Sequence, residues 1–257
     1  MKIIVLMKQV PNKDAILRVN GEEKWIEEGD LSFEVSESDG YALEEALRLK
    51  EKKGGEVVVC SLGPPRVKSV IKDALARGAD RAIHVVSDNL QQVGPYATAQ
   101  IIAEAIRDEQ PDLVLTGLQS DDHGYGQTGV ILAEILGLPH ATIVIDVDYS
   151  GEQLRVKREL ESGWYQWYTM QTPALLTIQS GISQIRYATL KGIMAAKKKE
   201  IREVRPAGDA ATAGEFQSVE RIYLPLKQKQ TQFLGDGDAK RGAAQLAEKL
   251  RTEARVI

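Results

Sequence analysis

Through its first two-thirds this chain alternates short apolar runs with longer stretches of helical spacing, and few folds accommodate that pattern. Lys2 to Met7, Glu56 to Leu62, Arg81 to Val86 and Asp112 to Gly117 read as strands, apolar on both faces rather than on alternate residues. Helices are predicted between them. Ser38 can cap one from Asp39 to about Lys53, ended by Gly54-Gly55. Val67, Val70, Ile71, Ala74 and Leu75 mark the buried face of a second, closed by Gly78. Pro95 to Asp108 and a run from Gln127 or Thr128 to Leu136 give two more, the last stopped by Gly137 and Pro139. Repeated strand–helix–strand units of this length imply a parallel, doubly wound sheet with right-handed crossovers. Aromatic residues make up only 5% of the chain, so Val, Ile, Leu and Ala must fill such a core.

Elsewhere the pattern changes. Ala15 to Val35 is polar with short alternating pieces and reads as an excursion or hairpin. Beyond Ala141, four strands are expected in succession, Thr142 to Tyr149, Glu152 to Leu160, Tyr165 to Met170 and Ala174 to Gln179, with turns at Ser150-Gly151 and Ser162-Gly163. They predict an antiparallel addition at the sheet edge. After Arg186 the chain turns small and charged, through Lys197-Lys-Lys199 and Pro206 to Gly214, and ends in an amphipathic helix from about Ala239 to Glu253. The expected organisation is an α/β domain over residues 1–190 and an arm over 191–257 that packs on a partner subunit.

Charge and cysteine usage narrow the function. With 33 basic against 37 acidic residues the net charge is −4, and nothing shows the basic excess of a nucleic-acid-binding domain. No run approaches the length needed to span a bilayer. The single cysteine, Cys60, lies in an apolar strand run, which predicts a buried thiol and a reducing, cytoplasmic compartment.

The strongest local motif follows the fourth strand, in the loop Gly117 to Gly129. Within it Gly124-Tyr-Gly-Gln-Thr-Gly129 fits G-x-G-x-x-G and leads into a helix. Glycines let a backbone approach a ligand, and the free N–H groups of a helix N-terminus favour phosphate. A dinucleotide fingerprint belongs in the first βα turn, so the position is unusual, although the carboxyl end of a parallel strand is where ligands bind. No Walker-type loop is present. His84, His123 and His140 have no metal-ligand spacing, and Asp121-Asp122-His123 could bind Mg²⁺, act in proton transfer or contact a ribose. No catalytic constellation and no metal site are expected.

Several stretches, in order, resemble the β subunit of electron transfer flavoprotein: Lys2 to Val10, Ala42 to Lys50, Ser61 to Pro65, Asp73 to Asp80 and, most specifically, Ile185 to Lys199. The resemblance implies a Rossmann-like fold of the adenine-nucleotide-binding type. It implies a heterodimer with an α subunit that carries redox FAD, while the β subunit is an electron carrier rather than an enzyme. It holds AMP, or FAD in electron-bifurcating, NADH-linked members. The matching AMP-site positions are Leu6, Ser36, Ser38, Asp39, Leu62, Gly117, Gln119, Asp122, His123, Gly126, Gln127, Thr128 and Gly129. Bifurcating members tend to carry valine where this chain has Thr128, which favours AMP. Ser36-Glu37 stands where the family usually has Asn-Pro, and His123, Gly124 and Tyr125 where it often has Asp, Asp and Cys. Arg186, Tyr187, Ala188, Thr189 and Leu190 resemble the segment that docks acyl-CoA dehydrogenases, from which electrons pass to a quinone oxidoreductase. A stand-alone adenine-nucleotide-binding regulator is the alternative from another class, and the long tail argues against it.

Overall fold

The computed structural model describes residues 1–88, 90, 93–150, 153–206, 216–226, 229 and 231–257. Turn residue Gly151, the strand start at Glu152 and the small-residue stretch 207–214 lie outside the described residues. The chain divides into two compact units, Met1–Ile222 and Tyr223–Ile257.

The first unit is built on five apolar strands: β1 (Lys2–Leu6), β4 (Glu56–Gly63), β5 (Arg81–Val86), β6 (Leu113–Gly117) and β10 (Ala174–Ile178). Residues along them are buried almost without alternation because helices cover both faces. Helices α1 (Glu37–Lys53), α2 (Lys68–Arg77) and α5 (Leu190–Ala196) lie on one face, where Leu43, Leu47, Ile71 and Leu75 join Ile3, Val57 and Leu113. Helices α3 (Pro95–Ile106) and α4 (Thr128–Leu136) cover the other, where Ile102, Ile106 and Leu132 meet Ile4, Val58 and Val114.

The sheet has nine strands in the order β11-β5-β4-β1-β6-β10-β7-β8-β9, where β7 is His140–Tyr149, β8 Leu154–Glu159, β9 Tyr165–Met170 and β11 Ile201–Val204. It is the doubly wound, mainly parallel α/β sheet that the alternation predicts. Chain order reverses beside β1: β4 lies on one side of it and β6 on the other, both parallel. A separate antiparallel pair, β2 (Gln9–Pro11) and β3 (Phe33–Val35), brackets the polar excursion.

Three sequence expectations change. The four strands after Ala141 are not one antiparallel run. β7, β8 and β9 pair antiparallel at the edge, whereas β10 returns to the interior and runs parallel between β6 and β7. All five β10 residues are buried and apolar or small, so this run needs cover on both faces. The segment after α5 is not only a surface tail, because β11 adds to the far edge in parallel with β5. Finally, α1 starts at Glu37 rather than Asp39, with Ser36 at the cap position. The Glu37 N–H is taken by Asp121 Oδ2 at 2.7 Å, and Ser38 donates instead to the Gln119 carbonyl at 2.6 Å.

Lys199 also has a local task. Its ammonium donates to the Leu75 and Ala79 carbonyls at the end of α2, while Lys197 and Lys198 are exposed. In the second unit, Asp238 caps α6 (Ala239–Thr252) by accepting from the Lys240 and Arg241 N–H groups. None of the α6 residues is buried. Among the described residues, no helix is long and apolar enough to cross a membrane.

Candidate functional site

Where β4 and β6 diverge on either side of β1, a cleft opens beyond the carboxyl ends of the strands. This is the crevice in which doubly wound sheets bind ligands. The pairing of β1 with β6 stops at Val5–Leu115, although β6 runs on to Gly117 beside β10. Leu6, Asp39, Leu62, Gly117, Gln119, His123 and the run Gly126 to Gly129 line this one cavity. Ser36, Ser38 and Asp122 stand behind it as ties.

The motif glycines divide by task. Gly124 and Gly126 have φ of +63°, so their value is backbone conformation. Gly117 and Gly129 are there for close packing. A Cβ on Gly117 would fall 2.2 Å from Ser38 Oγ and 2.6 Å from Asp39 Oδ1, and one on Gly129 2.8 Å from Thr116 Oγ1. Helix α4 then begins at Thr128, behind Gln127, with no side-chain cap. The N–H groups of its first turn thus carry no side-chain cap, and the half-buried Thr128 hydroxyl stands beside them, an arrangement of donors that suits an anion.

The loop is stitched to α1 from both sides. Besides the bonds from Glu37 and Ser38, Ser36 Oγ accepts from the Asp121 N–H at 3.2 Å. Asp39, buried, accepts from the backbone N–H groups of Lys8 and Gly117, each at 2.8 Å. Its burial pushes the carboxyl up to about 7 against those hydrogen bonds.

Lys8 lines the cavity too, although it was not among the residues expected there; its place directly after the first strand is the signal that could have found it. Its ammonium donates to Asp122 at 2.7 Å and Ser120 at 3.3 Å, and lies 3.1 Å from His123 Nδ1. An ammonium has no acceptor, so Nδ1 offers its lone pair and the imidazole is neutral. Burial, followed by the Lys8 charge, lowers the His123 pKa. Burial would raise the Asp122 carboxyl, but the Lys8 charge and hydrogen bonds from Lys8 and Ser120 carry it below its ordinary value. The pair is thus engaged as a polar brace. Among the described residues, no group of three His, Cys, Asp or Glu side chains could hold a metal ion. The His123 ring stacks on Tyr125 at 5.3 Å between centroids, and Trp25 from the excursion meets its edge at 5.8 Å. Cys60 borders the cavity as a buried thiol pushed up to about 12 by burial, which suits a strand residue rather than a nucleophile.

The segment Arg186 to Leu190 lies elsewhere, on the α1 and α2 side. Arg186 faces inward and forks onto Glu44, at 2.9 Å from both Nε and Nη2, and onto Glu51. Ala188 packs on the core and Thr189 caps α5 by accepting from the Gly192 N–H. Tyr187 and Leu190 project outward, 91% and 77% exposed, beside exposed Ile193 and Met194.

Comparison with known proteins agrees with this architecture. The family model described as the electron transfer flavoprotein domain matches residues 24–209. The chain is 37% identical to electron transfer flavoprotein subunit beta of Methylophilus methylotrophus, over 91% of this chain and 93% of the relative. It is 35% identical to that of Bradyrhizobium diazoefficiens over the full length of both, and 35% identical to that of Homo sapiens over 80% of this chain and 82% of the relative. The chain belongs to the electron transfer flavoprotein family, among its β subunits.

Proposed function

We propose that this electron-carrier subunit binds AMP in the cleft between β1 and β6 and works as a heterodimer with an α subunit that carries the redox FAD. The observation that carries the reading is the uncapped start of α4, opening on a cavity bordered by Gly126, Gln127 and Thr128. These residues fit a nucleotide. The first-turn N–H groups and the Thr128 hydroxyl would hold the phosphate, and the apolar wall at Leu6, Leu62 and Val93 suits a base. AMP supplies charge and shape and no redox chemistry. The chain's own work is to bind it, fix the loop from Gly117 to Gly129 around it and present surfaces to partners.

Donors of the acyl-CoA dehydrogenase type would dock at Tyr187 and Leu190, which the Arg186–Glu44 pair holds in place, and electrons would leave through the FAD of the α subunit toward a quinone oxidoreductase. An exposed tyrosine such as Tyr187, with apolar neighbours to exclude water, is a common energetic anchor. The cytoplasm suits the lone thiol.

The test is to co-express the chain with its α subunit, purify the complex and extract its nucleotides. One FAD and one AMP per heterodimer is the expected result. Two FAD would replace the reading with an electron-bifurcating one, and a nucleotide-bound homodimer that ignores the α subunit would make the chain a stand-alone regulator.

A further inference from the structure

We infer that Asp39 is a positioning residue of the nucleotide site: its carboxylate ties the carboxyl ends of β1 and β6 together, one backbone N–H on each oxygen, and so fixes the loop that leads to α4. The ligand class rests on the nucleotide reading above; the tie itself rests on geometry.

Ladder pairing between β1 and β6 ends at Val5–Leu115. Beyond it the two chains must part to make a cleft, yet must not drift. Asp39 sits in the gap. Oδ2 accepts from the Lys8 N–H and Oδ1 from the Gly117 N–H, each at 2.8 Å, the donors being 31 and 78 residues away in the chain. The bond therefore substitutes for the missing rung of the ladder. Gly117 has no side chain at the point where Ser38 Oγ and Asp39 Oδ1 occupy the space of a Cβ, so the loop can press onto the start of α1. Ser38 extends the contact by donating to the Gln119 carbonyl.

The carboxylate is chemically specific here. Both partners are N–H donors, so two acceptors are required. An ionised Asp supplies them, whereas an Asn would turn an NH₂ group toward one donor. Protonation would likewise put an O–H against one of them. Burial opposes that ionisation, and the two backbone N–H bonds counter burial to hold the carboxylate in place. The charges around it are the Lys8 ammonium, which favours ionisation, and Asp121, which opposes it. Asp122 and His123 are both engaged with Lys8, and Cys60 on the cavity wall is a neutral thiol.

The test uses the complete complex with its α subunit, loaded with labelled AMP, and follows exchange against excess unlabelled AMP at pH 8.5. Asp39→Asn should exchange AMP about tenfold faster than the wild type. Asp39→Glu, which keeps the charge but has a longer stem, should fall between the two. Coinciding wild-type and Asp39→Asn rates would overturn the proposal. If Asp39→Asn fails to fold, Asp39→Glu carries the test, and exchange at the wild-type rate there would overturn it. Amide hydrogen exchange at Lys8 and Gly117 gives a readout independent of ligand. Exchange at least tenfold faster at these two amides in Asp39→Asn supports the tie even if no AMP is bound, a result that would sink only the nucleotide reading. Unchanged protection there would overturn the tie whatever the cleft holds.

Discussion

Replacing Gly117 by alanine should cost far more than the same change at Gly124, although both belong to one glycine-rich loop. A Cβ at residue 117 would stand 2.2 Å from Ser38 Oγ, 2.6 Å from Asp39 Oδ1 and 2.7 Å from the Asp39 backbone nitrogen. The first two atoms could rotate away only by giving up the Ser38–Gln119 and Asp39–Gly117 hydrogen bonds, and the third is helix backbone. Forced overpacking costs about 1–3 kcal/mol, and lost bonds of this kind about 1–2 kcal/mol each. The sum is about 3–7 kcal/mol for Gly117→Ala. At Gly124 the nearest atom to a new Cβ is the Ser120 carbonyl at 3.9 Å, so the cost is conformational, about 1–2 kcal/mol for a φ of +63°. Equilibrium urea unfolding followed by far-ultraviolet circular dichroism measures both. The reasoning is refuted if Gly117→Ala lies within about 0.5 kcal/mol of wild type, or if Gly124→Ala costs more.

Three further outcomes are expected. Burial raises the Asp39 pKa from 3.8 in the unfolded chain to about 7. A raised carboxylate favours the folded state below 3.8 and loses that contribution as pH climbs through 7, so wild type should lose on the order of 2–3 kcal/mol between pH 5 and 8 relative to Asp39→Asn. Parallel pH–stability curves from chemical denaturation would contradict this. Arg186→Ala strands the buried Glu44 and should cost about 2 kcal/mol, whereas Leu190→Ala, on an exposed side chain, should unfold within about 0.5 kcal/mol of wild type yet slow reduction by the dehydrogenase; equal rates would remove Leu190 from the interface. Thr128→Val should leave the fold intact and weaken AMP retention about tenfold, measured by nucleotide content after gel filtration, and full retention would remove the hydroxyl from the site.

Much of the fold was legible because β1, β4, β5 and β6 are short, mainly apolar on both faces, and mostly flanked by glycine or proline. β10 was legible as a strand but not in its place. Order in a sheet depends on which faces get covered, and Ala174 to Ile178 looks the same beside β9 or beside β6. β11 was illegible for a different reason: Ile201-Arg-Glu-Val204 is half charged, as an edge strand can be, and only its register with β5 makes it a strand. In the site, the loop from Gly117 to Gly129 announced itself through its glycines. Their two tasks did not show, because packing at Gly117 depends on α1, almost eighty residues earlier. Arg186 looked like an outward docking group, and its inward turn follows from Glu44, 142 residues away in sequence.

The central claim is that the start of α4 holds a nucleotide phosphate. A crystallographic map of the co-purified complex tests it most directly. Phosphate density within hydrogen-bonding reach of the Thr128 hydroxyl and the backbone N–H groups of the first α4 turn is the predicted result. A nucleotide bound in this subunit with its phosphate directed away from α4 would contradict it.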